Sequence, residues 1–178
     1  RDSSDPSTIQ WTPQSPCRVQ SGDWHEPYTD QDFKMANALQ IDHVVPLRET
    51  YYSGAWNWQA SLRCHYANFL GNNYHLLAVS GHENMSKSDK SPAGYMPPAQ
   101  SFQCRYLNLW MRIKTLWNLE TSPDEVAAIR NDLIQNRCDV SYDRMSESDY
   151  TKERYWITHI EPNCSGFGQM VPSPPVAK

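Results

Sequence analysis

The residues best suited to chemistry are Asp42, His43 and Asn84. Asp42 and His43 sit in a β-branched run, Ile41-Asp42-His43-Val44-Val45-Pro46. Asn84 stands in a polar segment, His82-Glu83-Asn84-Met85-Ser86-Lys87-Ser88-Asp89, behind a second apolar run, Leu76-Leu77-Ala78-Val79. A carboxylate and an amide carbonyl are hard oxygen ligands of the kind that hold Mg²⁺. An imidazole that titrates near neutrality can take a proton from water. These are the parts needed to hydrolyse a phosphodiester with one divalent ion. Each residue also has a plainer role open to it: His43 as a core histidine bonded to a carbonyl, Asp42 as a turn cap, Asn84 as a helix cap.

Positioning them requires two strands and a helix. Residues 38–45 read as a strand ended by Pro46, which cannot donate to a ladder. A long connection follows, with a helical turn over residues 60–70. Residues 75–79 read as the second strand, broken at Gly81, and a short helix from about Glu83 carries Asn84 and Lys87 three apart on one face. Downstream, Phe102, Tyr106, Leu109, Ile113 and Leu116 recur at alternating spacings of four and three, an amphipathic helix over residues 100–118. Ser122-Pro123-Asp124-Glu125 opens the next helix: Ser122 caps it, Pro123 suits its first position and Glu125 completes a capping box. Its apolar stripe is Val126, Ile129 and Leu133. Residues 155–160 read as a strand, residues 171–176 as a Pro-rich tail, and residues 1–16 as extended or poorly ordered.

At 178 residues the chain is one domain able to bury a real core. Its 13 Pro, 7 Trp and 10 Tyr point to loop-rich architecture with aromatic packing rather than a helical bundle. Trp56, Trp58, Trp110 and Trp117 read as core. No apolar run approaches a membrane span. Arg1 in first position is what a processed, secreted form would show. Five cysteines suggest an oxidising compartment, and the absence of any Cys-x-x-Cys pair argues against a zinc knuckle. Cys104 with Cys138 would tie two successive helices, leaving Cys17 to pair with Cys64 or Cys164. A net charge of −4 speaks mildly against nucleic acid, although a bound divalent ion adds positive charge where a phosphate must sit.

Six blocks in order resemble the secreted branch of the HNH endonucleases, within the ββα-metal or His-Me finger superfamily. They are Asp42-His43-Val44-Val45-Pro46-Leu47, Ser53-Gly54-Ala55-Trp56-Asn57-Trp58, Tyr66-Ala67-Asn68, Leu76-Leu77-Ala78-Val79-Ser80, Asn84 to Asp89, and Tyr95-Met96-Pro97-Pro98. Upstream the similarity takes in Cys17, Gly22-Asp23-Trp24 and Pro27-Tyr28-Thr29. Downstream it includes Cys104-Arg105-Tyr106, Trp110 and Lys114, ending near Cys138. The resemblance implies an α+β fold with a ββα-metal core, flanking helices and a C-terminal extension. It divides the chain into an extended segment 1–16, a nuclease domain 17–138 and an extension 139–178.

By the same resemblance, His43 is the general base and Asp42 and Asn84 hold a divalent metal ion, Mg²⁺ with Mn²⁺ as the alternative. Lys87 and Arg48 are candidate phosphate contacts. His75 stands where related sequences carry a loop-bracing Asn, and Lys87 with Ser88 fills the neighbourhood of the missing last His of the HNH signature. His25, His65, His82 and His159 read as structural or exposed. The function implied is a secreted, metal-dependent endonuclease with little sequence preference, acting on DNA and possibly RNA, with no membrane and no obligate protein partner. The competing class is a non-catalytic secreted effector or interaction protein on the same scaffold.

Overall fold

In the computed structural model of the chain, residues 5–139, 141 and 144–159 are described, Pro16 by its backbone alone. Ile160, Asn163, Cys164 and the Pro-rich tail lie outside the described residues.

The described residues form an α+β fold of two small antiparallel sheets and six α-helices. Strands β1 (Asp5–Thr12), β2 (Ser15–Glu26) and β3 (Gln31–Met35) make the first sheet in that order. Of the two alternatives expected for residues 1–16, extended or poorly ordered, residues 5–12 take the extended one, as a paired strand. Thr8, Ile9, Trp11 and Thr12 are β-branched or aromatic residues that suit a pleated surface, and β1 pairs with β2 along an irregular register.

Strands β4 (Leu39–His43) and β5 (Leu76–Ser80) make the second sheet, with Asp42 opposite Leu77 and His43 opposite Leu76. Both are close to the spans expected. Helix α3 (Gly81–Lys87) follows β5 without a loop. Its start is two residues earlier than expected because Ser80 caps it, its side chain accepting from the Glu83 amide at 3.2 Å. Gly81 thus begins the helix rather than merely ending the strand, and Asn84 lies inside α3 instead of capping it. Helices α1 (Leu47–Tyr52) and α2 (Ala60–Ala67) occupy the connection between β4 and β5.

The core is built on α4 (Gln100–Leu116) and α5 (Pro123–Gln135). Tyr106, Leu109, Ile113 and Leu116 of the expected stripe are buried along α4, Phe102 is only partly buried, and Leu107 and Trp110 join them. On α5, Ile129 is buried, Leu133 is half-buried and Val126 stays exposed. The capping box at Ser122 and Glu125 is formed as expected. Cys104 and Cys138 are joined in a disulfide that ties α4 to the segment after α5. Cys17 is a free, exposed thiol, so neither pairing expected for it forms; Cys64 is disulfide-bonded.

Residues 155–159 belong to helix α6 (Glu147–His159), not to a strand. The strand reading followed the aromatic and β-branched run Tyr155-Trp156-Ile157-Thr158. What decides the matter is the period of burial, since Glu153 and Ile157, four apart, are buried while Tyr155 and Trp156 remain exposed. Ser146 accepts from the Asp149 amide at 3.0 Å and starts the helix. Glu153 anchors it, taking Arg112 of α4 at 2.8 Å, Asn72 at 2.9 Å and the hydroxyl of Tyr74.

Candidate active site

Strand alternation sends Asp42 and His43 to opposite faces of β4, and their partners differ accordingly. His43 turns toward the end of α2. Its Nε2 lies 2.9 Å from the carbonyl oxygen of Ala67, and its ring stacks on Tyr66 at 6.3 Å. A carbonyl only accepts, so Nε2 carries the proton and Nδ1 keeps the lone pair. The bracing carbonyl is thus supplied by the end of α2. Burial pushes the His43 pKa below its ordinary value, against opposing contributions from the Ala67 bond and Asp42. A neutral imidazole with one free nitrogen is the form a general base requires.

His75 lies beside it, ring centroids 6.1 Å apart and edge-on. Its Nε2 donates to the Tyr66 carbonyl at 2.8 Å, its backbone amide donates to Asn72 at 2.9 Å, and its own carbonyl accepts from Val44 at 3.2 Å. The histidine that replaces the expected Asn therefore braces the end of α2, which carries Tyr66 and Ala67. Burial drives its pKa down to about 3, and among the described residues its Nδ1 has no hydrogen-bond partner.

Asp42 faces α3 and the first sheet. One oxygen accepts from the Lys87 ammonium at 2.8 Å and the other from the Tyr28 hydroxyl at 2.6 Å. The Asp42 and Lys87 side chains are 4% and 0% exposed, so this is a fully desolvated ion pair. Lys87 also donates to the His43 carbonyl at 2.8 Å. Lys87 is therefore turned into the protein and does not stand on the surface where a phosphate contact was expected. Tyr28 gives no signal in the sequence beyond its place in the resemblance. It is positioned because Glu26, buried, accepts the Tyr28 amide at 2.5 Å and the Thr29 amide at 3.0 Å, which fixes the turn after β2.

Asn84, one turn before Lys87, donates its amide nitrogen to the Gln40 side chain at 2.9 Å, which leaves its carbonyl oxygen as the open end. Arg48 is exposed, ion-paired with Asp89 at 3.1 Å and placed over the Tyr52 ring. His82 is exposed and bonds the adjacent Glu83 at 2.8 Å. The partners of Arg48 and His82, namely Asp89, Tyr52 and Glu83, lie outside the Asp42–Lys87–Tyr28 cluster.

The oxygen donors here are right in kind for a hard divalent ion: one carboxylate, one amide oxygen and the His43 carbonyl. Among the described residues no three His, Cys, Asp or Glu side chains gather into a metal cluster, and the place beside Asp42 is taken by the Lys87 ammonium.

The family's profile for the C-terminal domain of the GmrSD restriction endonucleases matches residues 1–132. The chain belongs to that family. The matched residues contain β4, β5, α3 and every side chain named above, so the GmrSD-type C-terminal domain carries the whole candidate site. An "Uncharacterized secreted protein" of Arthroderma benhamiae is 37% identical over 122 residues, 68% of this chain and 58% of that relative. The chain thus spans less than two thirds of the relative's length. No solved structure matches it.

Proposed function

We propose that this GmrSD-type domain is a secreted endonuclease that hydrolyses phosphodiester bonds of nucleic acid, DNA ahead of RNA, with little sequence preference. The observation that carries the reading is His43, a partly buried imidazole kept neutral, with Nε2 tied to a carbonyl and Nδ1 open, in a chain of a restriction-endonuclease family. β4, β5 and α3 are read as its ββα-metal core. Secretion is supported by the name of the Arthroderma relative, and no helix among the described residues is long and apolar enough to cross a membrane.

His43 Nδ1 takes a proton from a water molecule, whose oxygen attacks the phosphorus in line. The 3′ oxygen leaves and is protonated from solvent, giving 5′-phosphate and 3′-hydroxyl ends. The Ala67 carbonyl holds the Nε2 proton before the reaction, which leaves Nδ1 as the nitrogen that accepts; His43 then returns the proton to solvent. A divalent ion, Mg²⁺ or Mn²⁺, held by Asp42 and Asn84, would neutralise the scissile phosphate and the charge on the departing oxygen. With no base-reading element recognisable, contacts fall on the sugar–phosphate backbone.

The closed Asp42–Lys87 pair and the net charge of −4 favour the second reading, a non-catalytic interaction protein. Nicking of supercoiled plasmid, with Mg²⁺ or Mn²⁺ and then with chelator, separates the two. The proposal expects nicking that chelator abolishes. No nicking with either ion favours the non-catalytic scaffold.

A further inference from the structure

The ammonium of Lys87 sits where two oxygens converge, Oδ1 of Asp42 and the His43 carbonyl, each at 2.8 Å. A carboxylate and a backbone carbonyl are also what a hard divalent ion takes as ligands. The other Asp42 oxygen is held by Tyr28, so the carboxylate stays in place whichever cation it faces. Asn84 lies three residues before Lys87 on α3, and so on the same helical face, with its amide nitrogen engaged by Gln40 and its carbonyl oxygen open.

We infer that Lys87 is an exchangeable internal cation: its ammonium holds Asp42 until a divalent ion takes its place, so that metal binding and Lys87 release are one exchange. This rests on the proposed role of Asp42 as a metal ligand. Charge favours the exchange when substrate is present. The resting pair is neutral, one ammonium against one carboxylate. A divalent ion on a single carboxylate leaves one positive charge over, and the displaced Lys87 ammonium adds a second; the phosphodiester's negative charge offsets one of the two. The free protein therefore holds metal weakly, and the metal and the scissile phosphate strengthen each other's binding. The released ammonium, on its flexible stem, is then free to face phosphate.

The test is Mn²⁺ binding by the whole chain without nucleic acid, read from the free-ion electron paramagnetic resonance signal. Lys87→Met should bind Mn²⁺ at least about tenfold more tightly than the parent, since a like charge next to the ion is gone. The double variant Asp42→Asn with Lys87→Met, which leaves no buried charge unpaired, should lose that gain. Lys87→Met binding no more tightly than the parent overturns the exchange, as does a double variant that keeps the gain. If Lys87→Met does not fold, the parent alone decides by mass-spectrometric acetylation of Lys87. Labelling should be slow without metal and several-fold faster once Mn²⁺ is bound; labelling that stays equally slow at Mn²⁺ saturation overturns the inference. Neither readout uses cleavage. A chain that exchanges but does not cut defeats only the nuclease reading, and one that cuts without exchange defeats only this inference.

Discussion

His43 and His75 donate through the same ring nitrogen, Nε2, to the carbonyls of consecutive residues, Ala67 and Tyr66. The end of α2 thus orients two imidazoles at once. The half-buried His43 keeps an open nitrogen for chemistry, while the fully buried His75 acts as a brace. Burial lowers the pKa of both, to about 3 in His75, so both are neutral at pH 7.

The low pKa of His75 has a consequence for stability. In an unfolded chain a histidine titrates near 6.5. As the pH falls below that value the unfolded state takes up a proton that native His75 refuses until about pH 3. The unfolded state then binds more protons, so stability present above about pH 6.5 is lost on acidification, by up to ~1.4 kcal/mol per pH unit. His75→Asn should reduce this slope without removing it, because His43 and His65 are shifted in the same direction. Urea midpoints measured between pH 7 and about pH 4.5 check this; equal slopes in parent and variant remove His75 as the source.

Lys114 predicts a purely structural loss. Its buried ammonium reaches Glu125 at 2.6 Å, Ser53 at 2.9 Å, Glu49 at 3.0 Å and the Glu120 carbonyl at 2.9 Å, joining α1, α4 and the capping box of α5. Lys114→Met strands the Glu125 carboxylate in the interior and should cost about 3–5 kcal/mol. Replacing Glu125 by Gln in the same chain should recover part of that. Denaturant melts of the two variants read it, and a loss below about 1 kcal/mol contradicts the buried-network account.

The disulfide between Cys104 and Cys138 closes a 34-residue separation. On the chain-entropy model it should stabilise by roughly 3–4 kcal/mol. Cys104→Ser with Cys138→Ser, compared with the parent under non-reducing conditions, should show that loss. Unchanged stability would mean that the bridge adds nothing to the α4–α5 packing.

Asn84-Met85-Ser86 is an N-glycosylation sequon. The Asn84 amide nitrogen, the atom a glycan would occupy, is bonded to Gln40 within the hairpin–helix unit. Protein secreted from a eukaryotic host should therefore carry no sugar at Asn84. Glycopeptide mapping checks this, and full occupancy in material that still cleaves nucleic acid ends the metal-ligand role of Asn84.

The sequence made α4 and α5 legible because each has a regular stripe and α5 has a complete capping box, both local signals. The β4–β5–α3 unit was legible from two apolar runs flanking Asp42, His43 and Asn84. The first sheet was missed because its register is irregular and its strands are largely exposed. α6 was misread because a short aromatic and β-branched run looks the same in either state until tertiary burial selects a period of four. At the site, the choice of His43 gave no hint that its brace would come from Ala67. Lys87 looked like a phosphate contact, and only the pairing of α3 with β4 and the placement of Tyr28 turn it inward. Such contacts join residues 14 and 45 positions apart, beyond the reach of local pattern.

The central claim is that His43 removes the proton from the attacking water. The most direct measurement is the initial rate of plasmid nicking by His43→Ala against the parent, at pH 7 with Mg²⁺, with circular dichroism confirming an unchanged fold. Loss of a general base predicts a fall of roughly 10²–10⁴-fold. A folded His43→Ala variant that cuts within a few-fold of the parent contradicts the account.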